Sequence, residues 1–255
     1  ISQSEEADNL VVLKKQRSGV TEAFRSLRAN LNFILPKNKS SVILITSSIS
    51  GEGKTFSSIN LASVYALSNK KTLLIGCDMR KPKIYDDFGI SNKEGLSTYL
   101  SNNQENVNNV IQKTAYENLD VIVSGPSPPN PAELLITQKF ESLITQMKDR
   151  YDMVVLDTPP VGLVSETLDL IRLADISLFV VRYNYSDKHF IDHINSLKQQ
   201  EILKDAYLIF NGLDKDAQKY GYGTGYGYGY GYVYVYGFYD EDYKEGNYFK
   251  KIFIR

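Results

Sequence analysis

Six short apolar runs, most of them separated by a helix-length stretch, constrain this chain more than any other feature. They are Ser41 to Thr46 (SVILIT), Thr72 to Cys77 (TLLIGC), and the runs starting at Leu119 (LDVIVSG), Met153 (MVVLDTPP), Ile176 (ISLFVVR) and Ala206 (AYLIFNG). Each is continuous rather than alternating, as expected of a strand buried on both faces. Between them lie a helical pattern over 54–68 and amphipathic stretches over 131–148 and 188–200. Short buried strands alternating with helices read as an α/β domain: a doubly wound, mostly parallel sheet with helices on both faces. A further helix is expected from Val20 to about Phe33, and the polar residues 1–19 read as an N-terminal arm.

Charge and composition exclude several classes. The 29 Lys and Arg against 30 Asp and Glu give a net charge of −1, without the basic excess of a nucleic-acid binder, so no nucleic-acid partner is expected. The single cysteine, Cys77, cannot form an internal disulfide, which fits a reducing cytosol. No run of eighteen or more apolar residues is present, and no signal peptide pattern. The chain begins with Ile1 rather than Met, so it reads as part of a longer polypeptide whose upstream portion could carry a membrane anchor.

From residue 219 the sequence changes character. Eleven of the nineteen tyrosines and eight of the seventeen glycines fall between Tyr220 and Tyr248. Such dense glycine raises the entropic cost of ordering, so residues 219–255 read as a flexible tail. Alternation of Tyr and Gly also supports a strand with Tyr on one face, although an isolated hairpin of this kind is not expected to be stable.

Chemistry concentrates where the apolar runs end. Ser47 to Thr55 (SSISGEGKT) joins the first run to a helical pattern and ends as a phosphate-binding P-loop ends, with Ser48 where the usual first glycine stands. Backbone N–H groups around Gly51 and Gly53 can curve around phosphate oxygens while the following helix presents its positive end. Ser50, Gly51, Glu52, Gly53, Lys54, Thr55 and Phe56 are the expected nucleotide contacts, with Lys54 reaching the terminal phosphates and the Thr55 hydroxyl on Mg²⁺. Asp157 ends an apolar run as the acid of a Walker B element does. Asp78 ends another, with Arg80 and Lys81 just beyond. Thr55, Asp78 and Asp157 are thus candidate Mg²⁺ ligands, Asp78 is also a candidate proton acceptor, and Arg80 is placed to stabilise charge on a transferring phosphate.

Together these pieces resemble the bacterial tyrosine kinases (BY-kinases) that control capsule and exopolysaccharide export, the Wzc type. The resemblance covers about residues 20–250. It rests on GEGKT over 51–55, the second acidic element of form DxDxR over 76–80, the apolar run into Asp157-Thr158-Pro159-Pro160, and the tyrosine-rich end. The segment GPSPPNPAELL from Gly125 and the ExxRxxR spacing of Glu22, Arg25 and Arg28 are also similar to the family. The resemblance implies that those three residues, on one helix face, make contacts between subunits of a ring. Asn211 resembles the adenine contact of related ATPases. One departure is chemical: the first acid of DxDxR is Gly76 here, leaving Asp78 as the acid of that element.

The resemblance implies an ATP- and Mg²⁺-dependent tyrosine autokinase comprising residues 20–218, with Lys54, Asp78, Arg80 and Asp157 catalytic. Its substrates would be Tyr220, Tyr222, Tyr226, Tyr228, Tyr230, Tyr232, Tyr234, Tyr236, Tyr239, Tyr243 and Tyr248, mainly on neighbouring subunits. It also implies an upstream membrane-anchoring activator and a location on the cytoplasmic face of the membrane. The rival reading is a partition-type ATPase switch without kinase activity. Ile49, where that class carries an additional lysine, argues against it.

Overall fold

In the computed structural model the described residues are 8–37, 39–101, 106–161, 166–201, 203, 205–212 and 251–253. Two helices precede the first strand: α1 (Val11–Lys14) and α2 (Gly19–Ile34). Ser18 caps α2 by accepting the Thr21 amide, which sets its start one residue before Val20. Then come β1 (Ser41–Ser47), α3 (Lys54–Ala66), β2 (Thr72–Gly76), α4 (Ile84–Phe88), α5 (Leu96–Leu100), β3 (Gln112–Lys113) and β4 (Leu119–Ile122). The chain continues through α6 (Pro131–Leu135), α7 (Gln138–Lys148), β5 (Met153–Asp157), α8 (Glu166–Ile171), β6 (Ile176–Arg182), α9 (His189–Gln199), β7 (Ala206–Asn211) and β8 (Lys251–Phe253). The amphipathic stretch over 131–148 is two helices, because the Thr137 side chain caps a new one by accepting the Phe140 amide.

The strands form one sheet in the order β3-β4-β2-β5-β1-β6-β7-β8, parallel except for the antiparallel edges β3 and β8. All six apolar runs are strands, and β1 is buried at every position. Its side chains alternate between two cores: Ile43 and Ile45 face the α1, α2 and α3 side, while Val42 and Leu44 face the side covered by α5, α6, α7, α8 and α9. From β1 the chain builds toward one edge through β2 and β4, then returns by β5 to add β6 and β7 on the other side. Such a reversal opens a crevice at the carboxyl ends of the central strands.

Two features depart from the sequence reading. The expected polar arm over 1–19 is, within its described part, docked: Leu10, Val12 and Leu13 are buried in the core. Asn60, fully buried on α3, accepts the Val12 amide at 2.9 Å through Oδ1 and donates through Nδ2 to the Asn9 carbonyl at 2.8 Å. A polar stretch containing four consecutive aliphatic residues was enough for one helical turn once a partner satisfied its backbone. At the other end, β8 pairs with β7 through Phe210↔Lys251 to Leu208↔Phe253, so the end of the expected tail returns to the sheet edge. The open backbone groups of β7 give an extended segment a row of partners. Residues 213–250, with all eleven tail tyrosines, lie outside the described residues.

Replacing Asn60 by Ala strands a buried amide and removes the tether to α1. Urea denaturation of Asn60→Ala should show a loss of about 1–3 kcal/mol, with faster proteolysis within residues 9–18. Unchanged stability and cleavage would mean that α1 docks without this residue.

Candidate active site

Strands β2 and β5 end level with one another, and β1 runs two residues further. Ile45 of β1 and Gly76 of β2 both register with Asp157, the last residue of β5. The segments that follow β1 and β2 therefore meet beside Asp157 at one end of the sheet. After β1 the loop turns through left-handed glycines, Gly51 at φ +91° and Gly53 at φ +96°, and Gly53 leads into α3 without a side-chain cap. The first-turn N–H groups of α3 are thus left to an anion, which the positive end of the helix favours.

Lys54 Nζ lies 3.0 Å from Asp78 Oδ2, both groups largely shielded from water. Asp78 Oδ1 accepts the Lys81 amide at 3.1 Å. The Thr55 hydroxyl donates to Asp157 Oδ2 at 2.9 Å, and Ser58, one turn along α3, donates to Asp157 Oδ1 at 3.1 Å. Lys54, Thr55, Asp78 and Asp157 are brought together as the sequence suggested. Burial drives the Asp157 carboxyl up to about 6, against the opposing pull of the Lys54 ammonium and the hydroxyl of Thr55. Burial acts to lower Lys54, but the carboxylates of Asp157 and Asp78 outweigh it and hold the ammonium above its usual range.

Two carboxylates face one ammonium in this group, and the neighbouring donors are hard oxygens. That donor set fits Mg²⁺, which keeps water and substrate phosphate among its ligands and needs few groups from the protein. Among the described residues no cluster of three or more His, Cys, Asp or Glu could hold a metal alone. Arg80 is exposed two residues past Asp78. Gly76 has a structural reason: a Cβ there would stand 2.9 Å from Ser124 Oγ and 3.3 Å from the Ser124 amide. Ser124 uses that space to donate to the carbonyls of Gly76 and Asp78, at 2.9 and 3.1 Å.

The remaining candidates are distributed differently. Phe56 packs its ring on Phe24, centroids 6.0 Å apart, so its side chain belongs to the core. Asn211 Nδ2 donates to the Glu52 carbonyl at 2.8 Å, fixing it beside the loop. On α2, Glu22 and Arg25 pair with each other, while Arg28 donates to the Val64 carbonyl of α3 at 2.9 Å. The turn after β6 also reaches the loop: Arg182 Nη1 donates to the Gly51 carbonyl and Tyr185 Oη to the Ser50 carbonyl, both at 2.9 Å, and the Ser186 hydroxyl donates to the Glu52 carboxylate. Sequence reasoning missed Ser58, Ser124, Arg182, Tyr185 and Ser186. Ser58 alone carried a signal, since it lies three residues after Thr55 on the same helix face.

The raised Asp157 carboxyl gives stability a pH dependence. Between about pH 4 and 6 the folded chain holds a proton on Asp157 that the unfolded chain, at its ordinary 3.8, has released. The contribution of this group is therefore lost as pH rises through that window. Nucleotide-free Asp157→Asn should match wild type near pH 4 and exceed it by up to about 2–3 kcal/mol at pH 7. A pH-independent difference in denaturation midpoint would contradict this.

Known proteins bear on the same residues. A family profile described as an AAA domain matches residues 40–204. The tyrosine-protein kinase YwqD of Bacillus subtilis is 36% identical over 180 residues, covering 71% of this chain and 76% of that protein. The tyrosine-protein kinase wzc of Salmonella typhi is 37% identical over 199 residues, covering 78% of this chain but 28% of its own length. This chain thus spans under a third of that longer relative. The solved kinase domain of the Escherichia coli tyrosine kinase ETK is similar at a TM-score of 0.75 and 33% identity, covering 90% of this chain and 89% of that one. With the loop, both strand-end acids and the sheet order in place, the chain belongs to the bacterial tyrosine-protein kinases, within the wider AAA-type P-loop fold.

Proposed function

We propose that this domain transfers the γ-phosphoryl group of ATP to tyrosine hydroxyls, with the Tyr220–Tyr248 cluster of a neighbouring copy as its main substrate. The observation that carries this reading is the pairing of Lys54 with Asp78 and Thr55 with Asp157 at adjoining strand ends, in a chain that ends in a tyrosine-rich segment.

Binding of ATP lets Lys54 exchange Asp78 for the terminal phosphates, which frees that carboxylate. The Thr55 hydroxyl and the Asp157 and Asp78 carboxylates would hold Mg²⁺, which supplies charge neutralisation on the β- and γ-phosphates. The tyrosine Oη forms a bond to Pγ, the bond from Pγ to the bridging oxygen breaks, and ADP departs. Asp78, standing alone in its element, accepts the hydroxyl proton, and Arg80 offsets charge on the moving group. A loose transition state needs little help from a base, so the missing acid at Gly76 is tolerated.

The substrate segment is within reach. With β7 ending at Asn211 and β8 beginning at Lys251, the 38 residues 213–250 lie in sequence between described residues. Half of that length, fully extended, spans at most roughly 60 Å, enough to reach a neighbouring copy. Each phosphate adds about −1.5 to −2 charges next to Asp240, Glu241 and Asp242. Modified tails repel one another and the ring of subunits loosens. We place residues 20–218 as the kinase domain, 219–255 as the phosphoacceptor segment, and Glu22, Arg25 and Arg28 at the ring contact. Among the described residues no helix is long and apolar enough to cross a membrane. An upstream anchoring segment or partner would hold the domain at the cytoplasmic face, where phosphorylation regulates capsule or exopolysaccharide polymerisation and export.

Incubation with Mg-ATP followed by phosphotyrosine detection tests the reaction. Lys54→Met should lose at least about a hundredfold in rate, and Asp78→Asn a comparable factor. Wild-type protein without phosphotyrosine would overturn the kinase reading in favour of an ATPase switch. For the ring, Arg25→Ala should lower the assembled mass in light scattering while leaving nucleotide affinity within about twofold; an unchanged mass would remove Arg25 from the contact.

A further inference from the structure

Three successive carbonyls of the phosphate loop are each taken by a side chain from the ends of β6 and β7. Tyr185 Oη holds the Ser50 carbonyl at 2.9 Å, Arg182 Nη1 holds that of Gly51 at 2.9 Å, and Asn211 Nδ2 holds that of Glu52 at 2.8 Å. In a planar trans peptide the carbonyl of one residue and the N–H of the next point in opposite directions. No peptide bond in the described chain is cis. Fixing these three carbonyls toward the donors therefore turns the N–H groups of Gly51, Glu52 and Gly53 to the other side of the loop. Those are amides that a nucleotide phosphate needs.

The Glu52 side chain closes the same arrangement from within. It is fully buried, and its carboxylate accepts the Ser48 hydroxyl at 2.7 Å, the Ile49 amide at 2.9 Å and the Ser186 hydroxyl. A buried carboxylate is tolerated when its oxygens are hydrogen-bonded, and here every donor belongs to the loop or to the turn that braces it. Ser48, which departs from the usual first glycine, supplies one of the three. The brace also explains both loop glycines by proximity. A Cβ on Gly51 would stand 2.7 Å from Tyr185 Oη, and one on Gly53 would stand 2.1 Å from Asn211 Nδ2.

We infer that Tyr185, Arg182, Asn211 and Glu52 are positioning residues for nucleotide binding: a brace that presets the phosphate-loop amides before ATP arrives. Asn211, expected at the adenine, acts here through the loop backbone. Tyr185 is about half exposed, so its hydroxyl is removable without disturbing the core. The inference rests on the nucleotide-binding reading of the loop and not on phosphoryl transfer.

The test compares wild type with Tyr185→Phe/Arg182→Met, using Mg-ADP affinity, amide hydrogen exchange of residues 50–53, and kcat against KM for ATP. The double variant should bind Mg-ADP about tenfold more weakly, and its loop amides should exchange faster without nucleotide. Saturating Mg-ADP should restore their protection, and kcat at saturating ATP should stay within about twofold, since the brace is needed before binding. Tyr185→Phe/Arg182→Lys, which keeps a cationic donor, should recover part of the affinity. Unchanged affinity and exchange would overturn the brace, as would a fall in kcat at unchanged affinity. Tighter binding would overturn it too, by making the contacts a lock on the empty site. Failure of wild-type protein to bind Mg-ADP would remove the nucleotide reading and the brace with it.

Discussion

The buried carboxylate of Asp157 is the constraint around which this structure is arranged. It sits at the end of β5, 2% exposed, between β1 and β2, whose Ile45 and Gly76 register with it. A carboxylate so placed is costly unless donors surround it. Here they come from one face of α3: Thr55 and Ser58 donate to its two oxygens, and Lys54 lies close enough to act on it electrostatically. The helix can offer all three only because it starts at the end of the loop that follows β1. Strand order, loop length and helix start together bring these donors to one acid.

Close approach accounts for much of the rest. Gly76 admits Ser124, whose hydroxyl ties together the carbonyls of Gly76 and Asp78. That bond sets the backbone from which the single acid of the second element projects toward Lys54. Gly51 and Gly53 admit Tyr185 and Asn211, so the loop is held from the β6 and β7 side while its amides face away. The family's first acid and the usual first loop glycine are both replaced in this chain. In each case the replacement belongs to a local hydrogen-bond pattern: Gly76 with Ser124, and Ser48 with Glu52.

The sheet was legible because its central parallel strands are buried on both faces and each parallel strand reads as a continuous apolar run. Lys54, Thr55, Asp78 and Asp157 were legible because strand ends in such a sheet converge, so adjacency to a run sufficed to place them. Contacts across the sheet were not. Ser124, Arg182, Tyr185 and Ser186 reach the site from segments far along the chain; Ser124 and Arg182 end apolar runs, but no phosphate-binding pattern surrounds them, and nothing in their immediate sequence marks Tyr185 and Ser186. Docking of α1 was hidden for a related reason: the aliphatic run Leu10 to Leu13 is only four residues long within a polar stretch, and its partner Asn60 is a polar side chain on a buried helix face. The short edge strand β3 and the helices α4, α5 and α8 hold too few residues for periodicity to show.

The central claim is that one copy's strand-end acids act on another copy's tyrosine segment. Mixing isotopically labelled Lys54→Met chain, inactive but with its tail, with unlabelled chain lacking residues 220–255 separates enzyme from substrate. After incubation with Mg-ATP, mass spectrometry of the labelled peptides spanning Tyr220 to Tyr248 should find phosphotyrosine. Labelled tail peptides that stay unmodified, while full-length wild type modifies its own, would contradict transfer between subunits.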